Sequence, residues 1–106
     1  MDFKAKPSMR RSARVQVRIP VAVTGMLPDG ESFTEHTYVV AVSKYGARLK
    51  SRYALRPGME IWVKPKAGSA DALFQVVWAG GEQGSAGEAG IQYVKASNLF
   101  GVSFPD

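Results

Sequence analysis

The chain contains no cysteine. A disulfide scaffold and a thiolate metal site are therefore excluded, and the absence fits a reducing compartment. His36 is the single histidine, too few for a histidine-rich metal site. No apolar run approaches the ~20 residues that span a bilayer. Residues Met1 to Arg14 are basic without an apolar stretch, so no signal peptide is expected. A cytoplasmic protein with no membrane partner is the expectation. Catalytic groups are equally sparse. There is no Cys–His pair and no phosphate-cradling glycine loop ahead of a helix. Asp29, Glu31, Glu35, Glu60, Asp71, Glu82 and Glu88 are scattered without forming a dyad. An enzyme is not expected, and neither a metal nor a resident cofactor is implied.

What is present fits one small domain. A chain of 106 residues can build one core without staples. Hydrophobic residues make up 45%, which argues against disorder. The net charge of +5 is unevenly spread. Residues 1–56 carry eleven Lys and Arg against four acids, and residues 57–106 carry three against five. The basic half is either an ordinary solvated surface or a face for a phosphate-bearing partner.

The pattern along the chain is that of strands. Residues 1–9 have no apolar period and read as a flexible basic arm. Val15, Val17, Ile19, Val21 and Val23 alternate with Gln16, Arg18, Pro20 and Ala22, the period of a half-buried strand. Pro20 has no N–H for a ladder, which puts it at an edge or a bulge. Further strands are expected over Phe33–Val42, Ala47–Lys50, Met59–Val63, Leu73–Trp78, Ala89–Val94 and Phe100–Phe104. The turns between them fall at Leu27–Gly30, Ser43–Gly46, Leu55–Gly58, 67–71, 80–87 and Ser97–Asn98. No segment has a helical period over ten residues. Short strands with frequent turns imply an all-β fold with little helix. A closed antiparallel barrel of about six strands removes the exposed edges that an open sheet this small would keep. The domain is placed at residues 10–106.

Two short segments carry the functional signal. Arg10-Arg11-Ser12-Ala13-Arg14 holds arginines four residues apart. Ala41-Val42-Ser43-Lys44-Tyr45-Gly46 follows about thirty residues later. Together they resemble the signature of PilZ domains, bacterial β-barrels that bind the second messenger cyclic di-GMP. That signature is Arg-x-x-x-Arg, then Asp or Asn-x-Ser-x-x-Gly. Arg18-Ile19-Pro20-Val21, the Gly46-Ala47-Arg48-Leu49 run after the serine motif, Leu55-Arg56-Pro57-Gly58, the pair Val77-Trp78 and Gly101-Val102-Ser103-Phe104 are similar to the family at the same relative places. The resemblance spans roughly residues 10–104. It departs at Ala41, where the family has Asp or Asn.

The resemblance implies a cyclic di-GMP receptor or adaptor that signals to an effector protein yet to be identified. Arg10 and Arg14 would hold guanine edges and phosphates, for which the planar guanidinium fork is suited. Arg11 would add a phosphate contact or face solvent. Ser43 would donate to a phosphate, close a turn onto its own backbone, or do both. Gly46 would supply a positive φ or a close approach to the ligand, or simply serve the turn. Ala41 would stand at the rim of the site without the acceptor that guanine N–H groups need. Losing such a charge-assisted hydrogen bond weakens binding about ten- to a hundredfold. Trp78 is expected in the core beside Val76 and Val77, with packing beside a guanine as its alternative, and Phe33, Phe74, Phe100 and Phe104 are expected in the core. His36 is expected at the surface. Two alternatives remain open: a degenerate domain of this type that acts through protein contacts, and a small basic barrel that binds nucleic acid. The last requires exposed aromatics interleaved with basic residues and ranks third.

Overall fold

The computed structural model describes residues 14–80, 87–94 and 99–101. Six strands are formed: β1 (Val15–Met26), β2 (Ser32–Val42), β3 (Gly46–Lys50), β4 (Glu60–Pro65), β5 (Ala72–Ala79) and β6 (Glu88–Tyr93). They close into a barrel in the order β1-β2-β3-β6-β5-β4, with β4 returning to β1. Every pairing is antiparallel. Among the described residues there is no helix, so none is long and apolar enough to cross a membrane. The expected all-β barrel is the fold observed. The expected arm at 1–9, with Arg10 and Arg11, lies outside the described residues.

Alternation decides which side chains fill the barrel. Val21 and Val23 on β1, Val39 on β2, Leu49 on β3, Ile61 and Val63 on β4 and Phe74 on β5 are fully buried. Each such side chain contributes about 1.5–3 kcal/mol of burial. Phe74 packs on Tyr93 at a ring separation of 4.4 Å. The turn expected around Pro57 and Gly58 is closed by the Met59 N–H donating to the Arg56 carbonyl at 3.1 Å. Gly58 has φ of 96°, as a type II turn requires. Pro20 stands one residue beyond the last β1–β4 pair, Val21 with Pro65; its carbonyl still accepts from the Lys66 N–H at 3.0 Å, and the donor it lacks is lost only at the end of that ladder.

The expected closing strand over Phe100–Phe104 is not seen where it can be followed. Leu99 and Phe100 form a turn, and residues 102–106 lie outside the described set. The Leu99 N–H donates to the Tyr93 hydroxyl at 2.7 Å. Burial raises the Tyr93 pKa above its ordinary value, and that hydrogen bond opposes the rise. The barrel closes on six strands, so Phe100 is left to pack from outside the ladder, 6.3 Å from Phe74.

Glu35 is the exception inside. It is 5% exposed on the inward row of β2. The Ser51 hydroxyl donates to it at 2.7 Å and the Arg52 N–H at 3.0 Å. The Arg52 side chain, 3.8 Å away, is largely solvated and adds little. Glu35 thus pins the segment after β3 to the barrel through buried hydrogen bonds. Glu35→Ala is expected to lower stability by about 2–3 kcal/mol, because it leaves the Ser51 and Arg52 donors unpaired. Urea unfolding of the two proteins measures this, and a loss under half a kcal/mol would contradict the pinning role.

Candidate functional site

Two irregularities in the ladder build the site. The β2–β3 register slips between Val39 and Ala41, and the β5–β6 register slips between Val76 and Trp78. Each inserts one extra residue, so the side chain after it changes face. Val39 and Val76 point into the core. Counting by two, Ala41 and Trp78 would follow them inward. The bulges turn both outward instead. The result is one row across four strands: Ala41 opposite Arg48, Arg48 opposite Gly90, Gly90 opposite Trp78. Gln16 on β1 extends it beside Ala41.

Trp78 is therefore not a core residue. It is half-buried on the outer face, and the core cluster passes from Phe74 and Val76 to Ala79 without it. Its indole lies across β6 at Gly90, where a Cβ would overlap the pyrrole edge of the ring. Any residue but glycine at position 90 would push the indole off the strand.

Beside this row lies a groove of about 160 Å³. Arg14, Ala41, Ser43 and Gly46 all line it, together with Arg48, Trp78, Gly90 and Gln92. The two sequence segments thus meet in space wherever the structure describes them. Arg14 is exposed at the entry to β1. The Ser43 N–H donates to the Gly46 carbonyl at 2.9 Å, and its hydroxyl oxygen accepts from the Tyr45 N–H at 3.3 Å. The turn role of Ser43 is thereby met.

Gly46 needs space, not an unusual φ. A Cβ there would overlap the Ile91 carbonyl oxygen and press on Gln92 Cα. Its φ is not among the positive values of the chain. The positive φ is not observed, and the close approach that Gly46 makes is to the backbone of β6, not the expected one to a ligand. Ala41 is 3% exposed, so it belongs to the floor of the groove and not to its rim. The bulge places it directly across from Arg48, under the neighbouring side chains.

The groove is electropositive. Arg14 and Arg48 line it, and among the described residues no carboxylate does. Glu88 approaches Arg48 from the side, with Oε1 3.5 Å from Nε. That distance gives charge attraction but not a hydrogen bond, and the Arg48 Nε has no hydrogen-bond acceptor among the described residues. Arg48, Gly90 and Gln92 were not singled out as site residues from sequence. The signal that could have found them is the broken alternation of Val39-Val40-Ala41-Val42 and Val76-Val77-Trp78.

Elsewhere on the outer surface the aromatics divide by type. Phe33 and Phe74 are buried as expected, and His36 is exposed. Tyr38, Tyr53 and Trp62 are exposed, and Tyr45 is exposed within the groove lining, more aromatic surface than the strand pattern implies. Tyr38 carries the Arg18 guanidinium over its ring at 4.1 Å. No protein-family model matches this chain, and no curated protein matches it either.

Proposed function

We propose that the protein is a PilZ-type receptor domain that binds cyclic di-GMP through this groove, at an affinity weakened by Ala41. The observation that carries the reading is convergence. Arg14 from one segment and Ala41, Ser43 and Gly46 from the other line a single electropositive groove walled by an indole. Cyclic di-GMP offers two phosphates for guanidinium groups and flat bases for Trp78 to stack on. The groove is smaller than the 300–1,000 Å³ of a typical small-molecule site. It would seat one base or phosphate, and Arg10 and Arg11 would cover the remainder. The domain is then a bacterial, cytoplasmic binder without catalytic activity, and its output passes to an effector protein.

The indole provides the test. Trp62 is exposed on β4, with its register partners on β1 and β5 outside the lining of the groove. In a Trp62→Phe variant the remaining fluorescence comes from Trp78. Cyclic di-GMP is expected to change its intensity saturably. An emission spectrum unmoved by millimolar ligand would count against the groove as the site.

One observation favours a second reading. The Arg18–Tyr38 stack and the exposed Trp62, with Lys64 on the same face of β4, interleave aromatics with cations. Single-stranded nucleic acid is bound by surfaces of that kind. Fluorescence anisotropy with a labelled single-stranded oligonucleotide distinguishes the two, because the receptor reading expects no binding at physiological salt.

A further inference from the structure

We infer that Arg48, which belongs to neither sequence motif, is the groove's own anion-binding residue and takes a phosphate oxygen of the ligand. This rests on the reading of the groove as the cyclic di-GMP site. Its ground is the unusual situation of one guanidinium. Arg48 projects from β3 between Ala41 on one side and Gly90 on the other. Neither neighbour has a side chain beyond Cβ, so nothing at these places covers it from within its row. Trp78 closes the far side, lying over Gly90.

The side chain is 31% exposed, yet its Nε is buried without a hydrogen-bond acceptor. A buried N–H normally finds an acceptor, and one that lacks it is costly to keep. Among the described residues Glu88 is the carboxylate paired with it, and at 3.5 Å from the Nε it makes no hydrogen bond to that atom. It partly offsets the charge. The Nε itself is shielded, so an oxygen entering the groove would meet the exposed part of the Arg48 side chain, which lines it.

The kind of oxygen follows from the lining. Guanine presents its N1–H and amino group as donors, and these need an acceptor. The groove has no carboxylate to offer, and the position opposite Arg48 is Ala41. Those donors set against a guanidinium repel. The O6/N7 edge of guanine could accept from Arg48, but the base would bring its donors into a lining that offers them no carboxylate among the described residues. A phosphate has only acceptors and a negative charge, and it matches both features of Arg48. The alanine that removes a base contact therefore also leaves Arg48 without an internal carboxylate partner across the strand pair, and the guanidinium remains available to the ligand.

Calorimetric titration of cyclic di-GMP into wild type, Arg48→Met and Glu88→Gln tests this. Arg48→Met keeps an unbranched apolar stem but removes the charge and the donor. It is expected to weaken binding about tenfold to a hundredfold, as for loss of a charge-assisted contact, with the melting temperature retained. Glu88→Gln leaves Arg48 in place and removes the competing charge, so it is expected to tighten binding about two- to fivefold. Arg48→Met binding as wild type does, or losing stability with its affinity unchanged, would make Arg48 a structural partner of Glu88 and overturn the inference while leaving the site reading intact. If Arg48→Met fails to fold, an unchanged affinity in Glu88→Gln overturns it alone. No binding by wild type would remove the site reading itself, and this inference with it.

Discussion

Gly46→Ala is expected to lower stability by about 3 kcal/mol or more, the upper range for overpacking. The added methyl group would meet the Ile91 carbonyl oxygen and Gln92 Cα, which are backbone atoms of β6. Backbone in the middle of a closed ladder cannot rotate aside as a side chain can. The strands would have to part, and the β3–β6 pairing runs over Gly46–Lys50 and Glu88–Gln92. Gly58→Ala provides the contrast. Nothing lies within 4 Å of a Cβ there, so its cost is the strain of a positive φ alone, about 1–2 kcal/mol. Chemical unfolding of both variants measures the difference. A Gly46→Ala protein as stable as Gly58→Ala would mean that β3 and β6 are not packed as described. The role of Gly46 is thus structural first, and loss of ligand in a Gly46 variant would say nothing about a direct contact.

The second large effect concerns the arginines. Arg10→Ala and Arg14→Ala are each expected to weaken cyclic di-GMP binding about thirtyfold to several hundredfold, since each removes a charge-assisted partner from a desolvated phosphate or guanine edge. Arg14 lines the groove and is exposed before ligand arrives, so its loss should leave the fold intact. Arg56 is exposed and outside the groove lining, which makes Arg56→Ala the control for general charge, with a change under about threefold. Equal losses in all three variants would identify a diffuse basic field, and the paired-motif reading would fail. The comparison needs only titrations at one ionic strength.

The six strands were legible because their inward residues follow a period of two. Val21, Val23, Ile61, Val63 and Phe74 are alternate apolar residues in short runs, and all are buried. Turn chemistry was legible for the same reason, since Pro57-Gly58 has few backbone options. The candidate site was legible only through its motif residues. Its geometry was not, because it depends on two bulges. A bulge changes which face a residue takes without changing composition, so Trp78 next to Val76 and Val77 read as core. Ala41 read as rim for a related reason. Position along a strand says how far a residue is from a turn, but not what its cross-strand neighbours cover. Arg48 stayed hidden because its significance comes from Ala41, Gly90 and Trp78, which are distant in sequence and adjacent in the barrel. At Phe100 the expected strand gives way to a turn, because an apolar residue there suits packing on Phe74 as well as it suits a ladder.

Calorimetric titration of cyclic di-GMP into the unmodified protein tests the central claim most directly. Saturable binding near one ligand site per chain is expected. Its affinity should fall about ten- to a hundredfold short of a comparable site with an acceptor at position 41, given the hydrogen-bond contribution lost with Ala41. The same heat should vanish in Arg14→Ala. Absence of any saturable heat at millimolar ligand, from a protein that melts cooperatively, would contradict the receptor reading and leave a barrel that acts through protein contacts.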